Sequence, residues 1–328
     1  MAFGDRVVVF GGTGFVGRHV CTALRAAGHE VVTVARRPPT PTPAYRFAAL
    51  DLGIAAVRET AAFLAAERPL AVVNCVGSIW ARNDEAMWAG AAEPTFRLLD
   101  ALTLLPRPPR LVHLGSVLEY GPLPPGSTAG ATTPTGPTTA YGRAKLAATR
   151  AVLERARAGR LDALVLRIAN VVGPGTPAVS LLGRVAERLL AAEAHASGPA
   201  VVELAPLRAH RDYVDVLDVA DAVTAAVAAS ATAEVLDIGR GEAVAVRSLV
   251  DLLIEVSGVP ARVVEREEPV GVPSGGRAED WLQVDIRPAE RLLGWRPRRT
   301  LTDAVRALWQ DLATTTPTTT AHSNRIGG

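Results

Sequence analysis

Arg6-Val7-Val8-Val9-Phe10 runs directly into Gly11-Gly12-Thr13-Gly14-Phe15-Val16-Gly17, and Arg18-His19-Val20-Cys21-Thr22-Ala23-Leu24 follows. A short β-branched strand thus enters a glycine turn that opens a helix. Glycines at 11, 14 and 17 let the backbone turn tightly and approach a pyrophosphate. Phosphate oxygens would sit on free N–H groups at the helix start, where the dipole favours negative charge. Gly11, Thr13, Gly14, Phe15, Val16 and Gly17 are therefore expected to hold a dinucleotide.

Outward from this turn, strand-like and helix-like runs alternate. Val7–Phe10, Glu30–Ala35, Ala71–Val76, Arg110–Leu114 and Ala163–Ile168 read as strands. Gly17–Ala27, Ile54–Glu67, Glu93–Leu105 and Thr139–Ala158 read as helices. This alternation predicts an α/β fold: a doubly wound parallel sheet with helices on both faces. Residues 1–173 form the expected dinucleotide domain, and 208–232 are expected to return to it, with Asp212–Ala229 rejoining the sheet. Residues 174–313 read mainly as a smaller substrate-covering lobe, and 314–328 as a disordered tail. Gly121–Thr138, rich in Pro, Gly, Ser and Thr, reads as a long functional loop.

Composition narrows the class. With 35 basic and 33 acidic residues among 328, the net charge is +2. Nucleic acid and anionic membrane are therefore not expected partners. No apolar run is long enough to span a bilayer. Glycines stand where a signal peptide would carry its apolar core. Cys21 and Cys75 read as buried free thiols, consistent with a cytoplasmic enzyme. No metal site is expected.

Chemistry is carried by Ser116, Tyr141 and Lys145. Tyr141 and Lys145 are one helical turn apart and share a face. Ser116 follows the strand ending at Leu114, on the carboxyl edge where parallel sheets bind ligands. A tyrosine titrates near pH 10 and is a poor acid–base group at neutrality. The Lys145 ammonium is expected to lower that value, which suits proton donation to a carbonyl as hydride arrives. The second strand ends in Val34-Ala35-Arg36-Arg37 with no acid for ribose hydroxyls. Arg36 and Arg37 suit a 2′-phosphate, so NADP(H) is expected over NAD; two solvated loop cations are the alternative.

Together these residues resemble the extended short-chain dehydrogenase/reductase family, in its nucleotide-sugar epimerase/dehydratase group. Four further segments between about residues 6 and 310 carry the resemblance: Ser116-Val117-Leu118-Glu119-Tyr120-Gly121, Leu166-Arg167-Ile168-Ala169-Asn170-Val171-Val172-Gly173-Pro174, Arg211-Asp212-Tyr213-Val214 and Leu293-Gly294-Trp295-Arg296-Pro297. The resemblance implies that Ser116 bonds the substrate carbonyl, Tyr141 is the general acid, and Lys145 holds the nicotinamide ribose. It implies that Asp51 and Leu52 contact the adenine, and that Cys75, Val76, Gly77 and Ile168 line the cofactor. Ser78, Asn170, Arg211 and Arg277 would bind substrate, the last three through its diphosphate. A homodimer through Glu93–Leu105 and Thr139–Ala158 is also implied. One departure stands out: Ala91-Ala92-Glu93-Pro94-Thr95 replaces the family's Asn-Val-x-Gly-Thr.

The family's 4,6-dehydratases carry an acid pair after the active-site hydroxyl residue, where this chain has Val117 and Leu118. Bifunctional epimerase-reductases use a Cys and a His where Leu118 and Gly175 stand. Simple hydride chemistry remains. The expectation is an NADPH-dependent reductase of a nucleotide-activated 4-keto-6-deoxyhexose, as in deoxysugar and antibiotic biosynthesis. A 4-epimerase retaining NAD, and a ketoreductase of a non-nucleotide natural-product ketone, stay open.

Overall fold

The computed structural model describes residues 5–39, 45–77, 79–81, 83–195, 198–266 and 280–315. Its first half alternates as expected: β1 (Arg6–Phe10), α1 (Phe15–Ala26), β2 (Glu30–Ala35), β3 (Arg46–Ala49), α2 (Val57–Glu67) and β4 (Ala71–Asn74). Two short helices then follow, α3 (Asp84–Ala91) and α4 (Glu93–Thr103). Next come β5 (Arg110–Ser116), α5 (Ala140–Arg157), β6 (Ala163–Ile168) and β7 (Asn170–Val172). The remainder comprises α6 (Leu181–His195), β8 (Ala200–Leu204), β9 (His210–Asp215), α7 (Val216–Ala228), β10 (Glu234–Ile238) and β11 (Ala243–Ala245). It closes with α8 (Val246–Ser257), β12 (Ala261–Glu265), β13 (Trp281–Leu282), α9 (Arg287–Leu293) and α10 (Leu301–Thr315).

Seven strands form one sheet in the order β10-β6-β5-β4-β1-β2-β3, every neighbour parallel. The chain winds outward one way from β1 through β3 and the other way from β4 through β10. The reversal falls between β1 and β4, so their following loops diverge and leave a crevice at the carboxyl edge. Central strands are apolar on both faces: Val7, Val8, Val9, Val72 and Val73 are wholly buried. That is the pattern of a sheet covered by helices on each side.

Residues 208–232 behave differently from expectation. β9 does not join the large sheet. It pairs with β7, β11 and β13 in a second, four-stranded sheet. α7 does return, as a helix packed on α1. The strand that joins the large sheet is β10, which lies beyond residue 232. Asp237 interrupts its apolar pattern and disguises a buried strand as a loop. At the tail, Thr314 and Thr315 belong to α10, their hydroxyls donating to main-chain carbonyls one turn back. Residues 316–328 lie outside the described residues.

Two buried carboxylates tie the second sheet and the closing segment to the large sheet and its helix α7. Asp212 accepts the N–H groups of Arg240 at 2.7 Å and Gly241 at 3.0 Å. Burial pushes its carboxyl up to about 6 against those backbone donors. Asp218 accepts from the N–H groups of Arg298 and Arg299, and the Trp295 indole donates to its carbonyl at 2.9 Å. The closing Leu-Gly-Trp segment is thereby docked on α7. Asp212→Ala leaves buried donors unpaired. It should cost roughly 3 kcal/mol of stability in a denaturant titration, and a loss below about 1 kcal/mol would contradict this role.

Candidate active site

A cavity of about 590 Å³ opens at the β1/β4 reversal. Gly11, Thr13 and Gly14 form its floor, Arg36, Arg37, Asp51 and Leu52 one end, and Cys75, Val76 and Gly77 its far wall. These expected cofactor residues, distant in sequence, are thus brought together. Phe15, Val16 and Gly17 form the first turn of α1 beneath the glycine turn. Gly14 caps that helix with no side-chain bond, and no acid stands in its first turn. Its leading N–H groups are left for an anion. Gly17 is required by packing, since a Cβ there would lie 2.1 Å from the Gly11 carbonyl oxygen.

The cavity fits a dinucleotide. Asp51 Oδ1 accepts from the Gly53 N–H at 2.9 Å, which fixes the carboxylate at the end of the cavity that Arg36 and Arg37 line. Arg36 and Arg37 are exposed at the rim and, among the described residues, make no hydrogen bond or ion pair. Sequence reading missed one wall. Ala86, Ala89 and Gly90 of α3, with Glu93 and Pro94, line the cavity opposite the glycine turn. The signal was present: Asn83 before Asp84-Glu85 is a helix start, and its Oδ1 accepts from the Ala86 N–H at 2.8 Å. Small residues one turn apart then mark a face that something approaches closely.

Ser116 is the last residue of β5, directly beside Ile168 across the parallel ladder. Its Oγ accepts from the Leu118 N–H at 3.2 Å, and the Glu119 carboxylate returns to the Ser116 N–H at 2.8 Å. The two bonds form a capping box around a single turn, Val117–Glu119. Thr139 caps α5 through the Gly142 N–H at 3.0 Å, which places Tyr141 in the first turn and Lys145 in the second. Lys145 is buried and reaches the cofactor wall, its Nζ lying 3.6 Å from the position of a Cβ on Gly77. The place of the family's Asn is taken by Ala91, packed with Ala92 and Ala144 against Tyr141 and Phe96.

The electrostatics depart from expectation. Burial, then the Glu119 charge, push the Tyr141 phenol up to about 12. Lys145 does not hold it down in this structure. Lys145 is itself lowered to about 8 by burial, against the opposing pull of Glu119 and Cys75. Desolvation dominates both shifts, and the expected Lys–Tyr attraction is not among their causes. Tyr141 therefore carries its proton across the neutral range, as a proton donor must. His113, behind this wall, is buried beside Asn74 at 3.2 Å, and burial with Lys145 holds it well below its usual range.

The substrate residues are partly assembled. Asn170 on β7 donates to the Asp212 carbonyl at 3.1 Å, which ties it to the strand bearing Arg211. Arg211 is buried and engaged rather than free. Its guanidinium pairs with the Asp280 carboxylate and donates to the Asp280 carbonyl at 2.8 Å. Ser78 and Arg277 lie outside the described residues.

Known proteins share this fold and family. The NAD dependent epimerase/dehydratase family model matches residues 7–239. A dTDP-6-deoxy-L-talose 4-dehydrogenase (NAD(P)(+)) from Kitasatospora kifunensis is 45% identical over 304 residues, covering 93% of this chain and 94% of that protein. A UDP-glucose 4-epimerase from Thermotoga maritima superposes with a TM-score of 0.81 at 22% identity, over 94% of this chain and 99% of that one. MoeE5, solved with UDP-glucuronic acid and NAD, superposes at 0.79 with 25% identity, over 95% and 100% of the two chains.

A Cβ on Gly90 meets nothing within 4 Å, and its helix tolerates a side chain. Gly90→Leu should leave the melting temperature unchanged while filling the cavity. Fluorescence titration should show cofactor binding weakened roughly tenfold or more; wild-type binding would place the cofactor elsewhere.

Proposed function

The chain belongs to the NAD-dependent epimerase/dehydratase family and is an NAD(P)-dependent oxidoreductase of the extended short-chain dehydrogenase/reductase type; from that premise we propose that it reduces the 4-keto group of a nucleotide-activated 6-deoxyhexose with NADPH. The observation that carries this reading is placement: Ser116 ends β5 at the carboxyl edge of the sheet, while Tyr141 and Lys145 stand one turn apart on α5, with Lys145 buried against the cofactor wall at Gly77. A hydroxyl, a phenol and an ammonium so placed can bond a carbonyl oxygen and give it a proton as hydride arrives.

The bound nicotinamide supplies hydride to the sugar carbon. The rest is done by side chains. Ser116 donates its hydroxyl proton to the carbonyl oxygen and orients it. Tyr141 transfers its proton to that oxygen as negative charge develops, which leaves an alcohol and a phenolate. Lys145 holds the ribose, and solvent returns the proton to the phenolate. Val117 and Leu118 offer no acid or base beside Ser116, so elimination of water has no catalyst there. The nearest acid, Glu119, is turned into the protein.

Substrate class rests on the relative from Kitasatospora kifunensis. A 4-dehydrogenase and a 4-ketoreductase exchange the same hydride in opposite directions, so a dTDP-activated 6-deoxyhexose is the favoured substrate. In this reading Arg211 trades Asp280 for the substrate diphosphate, helped by Asn170 and by Arg277. Guanidinium forks match phosphate as well as they match carboxylate. NADPH is favoured by Arg36 and Arg37 at the adenine end of the cavity. A homodimer through α4 and α5 and a cytoplasmic setting belong to the same reading; among the described residues no helix is long and apolar enough to cross a membrane.

Absorbance of the reduced nicotinamide, followed with a dTDP-4-keto-6-deoxyhexose, tests this directly. NADPH should be consumed in preference to NADH. The double variant Arg36→Ala, Arg37→Ala should raise KM for NADPH by roughly tenfold or more and leave NADH unaffected. Equal use of both cofactors by the wild type would remove the 2′-phosphate role. Sugar isomerisation without net oxidation would make the protein an epimerase.

A further inference from the structure

Glu119 has no part in the chemistry above, yet it is fully buried at its centre. Its Oε1 accepts from the Ser116 N–H at 2.8 Å and from the Thr149 hydroxyl at 2.9 Å. Its Oε2 accepts from Arg167 Nε at 2.8 Å. The three donors come from the end of β5, from α5 and from β6. Thr149 stands one turn beyond Lys145 and two beyond Tyr141, on the same face of the helix. Space for this junction is made at Gly115, where a Cβ would lie 2.6 Å from Glu119 Oε1 and 3.2 Å from Thr149 Oγ1. The junction is braced from behind. The Arg167 guanidinium lies 4.6 Å over the Tyr120 ring, and the Tyr120 hydroxyl donates to Asp237 at 2.8 Å.

We propose that Glu119 is a positioning residue, tying the strand that presents Ser116 to the helix that presents Tyr141 and Lys145. The inference rests on the reductase reading for its kinetics, though not for its electrostatics. A fully buried carboxylate stabilises a fold weakly and, for Arg167 alone, an apolar pair would serve. Its bonds to Ser116 and Thr149 point instead to alignment of the reacting groups, for which an error of about an ångström costs rate steeply. The same charge acts on both partners in one direction. It makes the Tyr141 phenolate less favourable and the Lys145 ammonium more favourable, so each keeps its proton to higher pH. The other titratable groups around them are Cys75, His113, Tyr120, Arg167 and Asp237. Of these, Asp237 is lifted to about 7 by burial, and Cys75 and Tyr120 are pushed above their usual ranges.

Two variants separate the tie from the charge. Thr149→Val cuts the bond to α5 and keeps the carboxylate. It should lower kcat roughly tenfold with KM for NADPH little changed, and Thr149→Ser should restore kcat. Glu119→Gln keeps an acceptor for Ser116 and Thr149 and removes the charge. The alkaline limb of its pH–rate profile should move down by roughly one pH unit. An alkaline absorbance titration, each protein read against its own Tyr141→Phe counterpart, should show the phenol shifted the same way with no substrate present. Wild-type kcat in Thr149→Val would overturn the tie. Coincident profiles and titrations for Glu119→Gln and wild type would overturn the charge effect. If Glu119→Gln fails to fold, the Thr149→Val and Thr149→Ser pair decides. If the wild type does not turn over the ketosugar, the reductase reading fails alone, and the absorbance titration still decides for Glu119.

Discussion

Everything in this protein is organised by the reversal of strand order between β1 and β4. A parallel sheet needs a crossover after every strand, and right-handed crossovers leave β1 and β4 in opposite directions. The carboxyl ends of these two strands are therefore left uncovered. The glycine turn after β1 and the Cys75-Val76-Gly77 stretch after β4 lie side by side and line that opening together. β5 then delivers Ser116 to the same edge, and α5 lays Tyr141 and Lys145 alongside it. The cavity and the Ser116, Tyr141 and Lys145 side chains are gathered at one edge by the sheet topology.

Burial does the rest of the chemistry. In water an ammonium one turn from a phenol would favour the phenolate, and the phenolate would favour the ammonium, so each charged form would be stabilised. Here both groups sit in a desolvated wall, and each is pushed toward its neutral form, Tyr141 up and Lys145 down. Glu119 then biases both toward the protonated state. Both oxygens of the buried Glu119 are satisfied, by Arg167 and by the donors from Ser116 and Thr149.

Legibility followed sequence distance. The strand, the glycine turn and α1 are one local unit, and their reading stands. Ser116, Tyr141 and Lys145 lie near element ends that propensity locates to within a residue or two. What sequence concealed is pairing over long separations. Arg211 is read as free for a phosphate, yet Asp280 occupies it from 69 residues away. Glu119 looks idle beside Ser116 because Thr149 and Arg167 lie 30 and 48 residues on. β10 is hidden by Asp237, whose charge is unremarkable until Tyr120 is seen against it. α3 was legible from Asn83 and from its small residues, but its eight residues are too short for a clear apolar period.

The central claim is that Tyr141 and its neighbours direct hydride to the C4 carbonyl of an activated 6-deoxysugar. Reduction of dTDP-4-keto-6-deoxyhexose with NADPH deuterated at the transferable position of the nicotinamide tests it most directly, with NMR of the sugar product. The account predicts deuterium at C4, in one configuration, with one equivalent of oxidised cofactor formed per sugar. Deuterium at any other carbon, or a sugar changed at C4 with no deuterium and no oxidised cofactor, would contradict it.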